Sequence, residues 1–335
     1  MFGIETFEVL IFFRQAGLAV SGAAAFWGFI FLFFSRRTTS PKSSSLWTLV
    51  AKRLLYIFFL ALFLYGIVWA TIAITQCAFC SAAHEGISVA ETPIRLAAIT
   101  YAQYASYVAL MIVGFLGFTI LLFKRVFLNL YLSWFYGAAF ILISLLFLYP
   151  WDSLGSVNAD ISVSLHGWHS IFTVGSVILI DFLFISLRPG NRLLLKKIFP
   201  LITLGIWLGL GLDFVSAGLV LPDKFFFVDR VLFMQTLIGI VIINGVLLAG
   251  PISRAIIASR EFIKSDELKP KLQRIAGISG AISISGWLSV TALDGFKSIT
   301  LNYWQLAMIY ILLIALIFVS RSVIEKFIIR YSRSN

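Results

Sequence analysis

Residues 126–149 read VFLNLYLSWFYGAAFILISLLFLY, preceded by Lys124 and Arg125 and followed by Pro150, Trp151 and Asp152. The run holds 24 residues without a single charge. About 20 such residues, rising 1.5 Å each, span the roughly 30 Å hydrocarbon core of a bilayer as an α-helix. The run does not alternate apolar with polar, so it does not fit a strand of a closed barrel. A barrel is the other structure that satisfies every backbone group in lipid. The stretch therefore predicts a membrane-spanning helix.

Eight other segments read the same way, giving nine expected spans at roughly 9–34, 54–75, 97–123, 126–149, 167–187, 198–221, 231–250, 275–293 and 301–320. The whole chain agrees: of 335 residues 60% are apolar and only 12% charged, with a mean hydropathy of +0.99. Soluble domains carry about twice that share of charge. The expected fold is all-α: one polytopic transmembrane helical bundle over residues 1–335, with the lipid bilayer as its first partner.

The net charge of +11 would suggest nucleic acid in a soluble chain. Sorted by loop it becomes an orientation signal. One set of connections, with the C-terminal tail, holds 21 Lys and Arg and four acids; the other holds four Lys and Arg and nine acids. Basic loops stay on the cytoplasmic side, so the N-terminus is expected outside and the C-terminus inside, and no basic patch remains for nucleic acid. The leader Met1–Glu8 is acidic and the apolar run behind it is long, so the first span is expected to stay as an anchor rather than be cleaved. The inner segment Ser253–Lys271 mixes basic and apolar residues at helix-like spacing, which suits an interfacial helix on anionic lipid.

Spans 1 and 5 share a Gly-aromatic-apolar pattern ending in Arg36 and Arg188, and spans 2 and 6 follow the basic pairs Lys52-Arg53 and Lys196-Lys197. Both pairs enter from the same side. The implied repeat is parallel, four spans plus four, with halves 9–149 and 167–293 and the last span 301–320 added.

The chemistry-bearing residues are few. Both cysteines and all three histidines fall on or near the outer face: Cys77, Cys80 and His84 in QCAFCSAAHE, and His166 and His169 in LHGWHS. Cys-x-x-Cys and His-x-x-His each span about one helical turn. Thiolate and imidazole together suit copper, zinc or another transition metal. Two cysteines three apart on an oxidising face also suit a disulfide, structural or redox-active. Ser81 follows Cys80 where a covalent c-type haem needs His. No His lies in the inner half of a span, so at most one outer haem fits, held by His166 or His169 with His84 or another ligand.

Charge inside the hydrocarbon marks function by default. Arg14 sits about 8 Å below the outer start of span 1 and Asp213 about 12 Å below the outer end of span 6, at 1.5 Å per residue. These depths suit an ion pair, which would fix helix register or serve a path. Asp181 lies twelve residues after His169, near the same face of a uniform helix. Asn244, Gln235, Ser283 and Ser285 suit interhelical hydrogen bonds, and Gly205/Gly209, Gly114/Gly117 and Gly277/Gly280 suit close helix contacts. Tyr101, Tyr104 and Tyr107 suit an interfacial aromatic belt.

His166-x-x-His169, then Val174-Gly175, Asp181-Phe182, Phe184, a basic loop, Trp207, Ser216-Ala217-Gly218, Asn244-Gly245 and Pro251 resemble bacterial inner-membrane proteins of the copper-resistance D type and related uncharacterised polytopic membrane proteins. The resemblance covers residues 166–251, about a quarter of the chain. It implies a helical bundle in the bacterial cytoplasmic membrane handling copper or a haem-like cofactor near the outer face, with the family's outer histidine at His166 or His169. The Cys-x-x-Cys is not part of it.

Three functions are therefore expected in competition. The first is a metal-handling or transport protein with an outer site from Cys77, Cys80, His84, His166 and His169, supported by Arg14, Asp181 and Asp213. The second is a membrane thiol-disulfide oxidoreductase in which Cys77 and Cys80 serve an outer redox partner. The third is a non-catalytic subunit of a membrane complex. No catalytic residue is assigned.

Overall fold

The computed structural model describes residues 6–83, 108, 110–112, 129–148, 165, 167–186, 195–220, 229–248, 268–295 and 301–334. All regular structure among them is helical. The helices are α1 (Thr6–Arg37), α2 (Pro41–Ala83), α3 (Asn129–Leu148), a π-helical turn (Ile171–Gly175) running directly into α4 (Ser176–Ser186), α5 (Leu195–Val220), α6 (Asp229–Leu247), α7 (Leu268–Gly295) and α8 (Tyr303–Ser334). Five stretches are long and apolar enough to cross a membrane: Phe12–Arg37, Ser43–Val68, Lys197–Val215, Asp229–Leu247 and Tyr303–Ser320. Tyr131–Leu146, Gly167–Ile180 and Gly277–Leu293 are apolar over shorter lengths. The protein is an integral membrane protein. The expected third span is represented by four residues only. The expected interfacial segment Ser253–Lys271 lies outside the described residues as far as Leu268, where α7 starts.

The helix ends follow local chemistry. α1 closes with Arg36 and Arg37 beside its exposed carbonyls, which favours the dipole, and Thr38 donates through both N and Oγ1 to Phe34 O at 3.1 and 2.7 Å. Three residues later Pro41 occupies the first position of α2, where its missing N–H costs nothing. The hairpin is pinned by Ser35, whose Oγ lies 2.9 Å from Ser44 O and 2.9 Å from Thr48 Oγ1. α8 begins with a reciprocal cap: Gln305 N donates to Asn302 Oδ1 and Asn302 N to Gln305 Oε1, both at 3.0 Å.

Two helices are longer than one span requires. α2 has 43 residues, about twice what the hydrocarbon core requires, and its helical backbone includes Cys77 and Cys80. α8 continues past Ser320 through Arg321, Lys326, Arg330 and Arg333.

The chain divides into two compact units. One holds the described residues of Thr6–Leu179 and Gly205–Leu221, the other those of Ile180–Leu204 and Pro222–Asn335. The boundary falls inside α4 and inside α5 rather than in loops. In the first unit α1 is the central element, with 72% of its span buried. A stacked aromatic row, Trp27, Phe31 and Trp47, joins α1 to α2 with centroids 5.9 and 5.4 Å apart. The fully buried Tyr136 of α3 donates to Ala51 O at 2.6 Å.

In the second unit α6, α7 and α8 share a core of Phe233, Leu237, Val290, Leu293, Leu306 and Tyr310. α6 and α7 run antiparallel, since Arg230 at the start of α6 donates to Leu293 O near the end of α7 while Asn244 meets Ser279 and Ser283. Only 11% of the α8 span is buried. In this unit Trp304 is 76% exposed, and in the first unit Phe214 and Trp134 are 82% and 73% exposed, large apolar side chains that lipid accommodates and water does not.

Candidate functional site

The first unit contains a buried ionisable cluster built around His169. His169 lies in the turn just before the π segment and is 2% exposed. Its Nδ1 is 2.9 Å from Gly209 O. A carbonyl only accepts, so Nδ1 carries the proton and donates it. In the neutral ring the lone pair then sits on Nε2.

Nε2 looks toward two oxygens. Asp213 Oδ1, one turn beyond Gly209 on α5, is 3.9 Å away, on a side chain 21% exposed. Thr173 Oγ1 is 3.5 Å away. The Thr173 hydroxyl donates its proton to His169 O at 2.7 Å, which turns an oxygen lone pair rather than a proton toward the imidazole.

This arrangement depends on backbone approach. A Cβ on Gly209 would lie 2.6 Å from Thr173 Cγ2 and 2.9 Å from Phe172 Cβ, so only glycine brings that carbonyl to the histidine. Gly175 at the end of the π turn likewise has no room for a side chain against Ala19 O. The π turn itself, Ile171–Gly175, is buried throughout. π turns inside α-helices occur often at functional sites. Directly after the same turn, Ser176 Oγ accepts from Trp27 Nε1 at 2.8 Å. Trp168, beside His169, has its buried Nε1 without a hydrogen-bond partner among the described residues.

Of the sequence-expected site residues, the described geometry brings together His169 and Asp213. His84 and His166 lie outside the described residues. The backbone of Cys77 and Cys80 is helical within α2, while their side chains are outside what is described. Asp181 is helical within α4, its side chain also outside the description. The shared face expected for His169 and Asp181 assumed a uniform 100° step, and the π turn between them breaks that count. Arg14 is half-buried on α1 and takes part in interactions among the described residues. Among the described residues no group of three or more His, Cys, Asp or Glu converges.

Sequence reasoning passed over Thr173 as a contributor to the site and took Gly209 only as a packing glycine. The signal was present in spacing: Thr173 is four residues after His169 and Gly209 four before Asp213, so each pair shares a helix face. The other expected close contacts divide. Gly205 meets the Trp27 ring and Gly277 lies 3.4 Å from Phe318 by its would-be Cβ, whereas Gly114 and Gly117, like Tyr101, Tyr104 and Tyr107, lie outside the described residues. Comparison with protein-family models, with curated proteins and with solved structures finds no match for this chain.

Proposed function

We propose that this chain is a bacterial inner-membrane protein that handles a copper-like transition metal at an outward-facing group of Cys77, Cys80, His84, His166 and His169. In this reading the bundle has nine spans, its N-terminus outside and its C-terminus inside, with two parallel four-span halves and one added span. Copper handling is also what the resemblance of residues 166–251 implies.

The observation that carries the reading is how His169 is held. A metal-ligating imidazole almost always donates its other ring N–H to a carbonyl or carboxylate, which fixes ring and tautomer. His169 donates Nδ1–H to Gly209 O at 2.9 Å and so presents Nε2. The same nitrogen would serve as an axial haem ligand.

The backbone of α2 supports metal over disulfide exchange. Residues three apart on a helix have Cβ atoms about 5–6 Å apart, whereas a disulfide needs about 3.5–4.5 Å. Cys77 and Cys80 lie within the continuous helix Pro41–Ala83, which suits two separate thiolates.

The test is an optical spectrum followed by metal analysis of the purified chain. The expected result is a bound transition metal that is lost when His166 and His169 are both replaced by Gln. A Soret band would move the assignment to haem. Metal content unchanged in the double variant would sink the reading, and cross-linking of Cys77 or Cys80 to an outer partner would replace it with thiol exchange.

A further inference from the structure

The part of α8 beyond Ser320 stays helical to Ser334 after its apolar window has ended. We propose that residues 321–334 form a basic amphipathic helix that lies on the anionic phospholipid headgroups of the leaflet where α8 leaves the membrane. This stands independently of the metal reading.

The first observation is the register of the helix. At 100° per residue, Lys326, Arg330 and Arg333, spaced i, i+4 and i+7, share an arc of about 60°. Ile324, Phe327, Ile328 and Tyr331 share an arc of about 100° on the other side, with Val323 and Ile329 bordering the basic one. Water penalises the apolar arc and hydrocarbon the basic one. The boundary between headgroups and acyl chains accommodates both, phosphates meeting the cations and chains meeting the apolar side. The one acid in the stretch, Glu325, lies four residues after Arg321 and leaves the basic arc unopposed.

The second observation is that packing adds charge at the same depth. Tyr310 Oη donates to Ile282 O at 3.4 Å, and a Cβ on Gly277 would lie 3.4 Å from the Phe318 ring, so α7 and α8 run antiparallel. Arg274, three residues before Gly277 and exposed, is therefore level with Arg321, three residues after Phe318. Lys269 and Lys271 begin the same helix. This end of the α7–α8 pair thus gathers Lys269, Lys271, Arg274, Arg321, Lys326, Arg330 and Arg333 against Glu325. Clusters of about four to eight Lys and Arg just beyond a spanning helix bind anionic lipid, and the headgroup plane is the nearest surface of that charge. Ser320 and Ser322 flank Arg321 where the apolar window ends, and serine pairs are places where helices bend, which lets the stretch tip onto the surface.

The test is limited chymotrypsin digestion of the full-length chain in nanodiscs of neutral phosphatidylcholine and of anionic phosphatidylglycerol, with cuts after Phe327 and Tyr331 followed by mass spectrometry. Cleavage is expected to be about tenfold slower or more in the anionic discs. The variant Lys326→Gln/Arg330→Gln/Arg333→Gln is expected to be cut rapidly in the same anionic discs, since each basic residue contributes about fivefold in surface affinity. Molar salt, which shortens the screening length to about 3 Å, is expected to restore rapid cleavage in wild type and decides the matter where the variant does not fold. Equal rates in the two lipids overturn the proposal. Slow cleavage in both also overturns it and gives the apolar arc to a protein surface. Slowing in neutral discs by added glycerol phosphate overturns it in favour of a free phosphate compound.

Discussion

Asn244 on α6 and His169 before the π turn are both polar side chains buried among apolar helices, 7% and 2% exposed, and they are satisfied in different ways. Asn244 is closed. Its Nδ2 donates to Ser279 O and Ser283 Oγ at 2.8 Å each, and its Oδ1 accepts from Ser279 Oγ. Each of these partners is within hydrogen-bond reach, all come from one neighbouring helix, and none ionises. His169 is held differently: one nitrogen donates to a backbone carbonyl at 2.9 Å, while the other faces the Thr173 hydroxyl at 3.5 Å and an ionisable carboxylate, Asp213, at 3.9 Å. A closed neutral network fixes helix register. A ring whose Nδ1–H is given to a backbone carbonyl has its tautomer and orientation fixed.

The contrast extends to packing. In the unit around His169, Gly17 and Gly175 bring helices to backbone contact, at Ala61 O and Ala19 O, with α1 at its centre. In the unit around Asn244 the close glycine contact, Gly286 on Val241, is to a side chain, and 11% of the α8 span is buried.

Four substitutions probe this difference. The largest effect is expected for Gly175→Val: backbone at Ala19 O cannot yield, so overpacking should cost about 3 kcal/mol or more, read as lost folded protein in a detergent thermal melt. Asn244→Ala should cost about 1–2 kcal/mol by orphaning the Ser279 and Ser283 groups, measured by denaturant titration in micelles. Tyr136→Phe removes one hydrogen bond, to Ala51 O, and should cost about 1 kcal/mol in the same titration. Ser285→Ala removes a buried hydroxyl that has no partner among the described residues, so its effect should stay within about 0.5 kcal/mol. An Asn244→Ala as mild as Ser285→Ala would erase the distinction between closed and open polar groups.

Much of the architecture was legible in the sequence because lipid imposes a simple rule. Apolar runs such as Tyr131–Leu146 must be helical, and they are. Helix lengths were not legible, because hydropathy reports where lipid ends rather than where the helix ends. The polar Pro41–Ser45 start of α2 and the basic tail of α8 continue helices that apolar content alone would stop. Within the site, depth counting placed Arg14 and Asp213 at similar depths and carried no signal that would bring His169 to Asp213. The position of His169 beside the Asp213 helix depends on Gly209, whose missing side chain lets that backbone meet Phe172 and Thr173, a contact between helices that no periodicity rule anticipates.

The most direct measurement is a paired one on two single variants, His169→Gln and Asn244→Ala: metal-to-protein ratio and thermal midpoint for each. The expected result is that His169→Gln loses metal, while Asn244→Ala keeps its metal ratio and lowers the midpoint of the metal-stripped protein. A His169→Gln protein that keeps its full metal content would contradict the assignment of His169 as the residue that holds the ion.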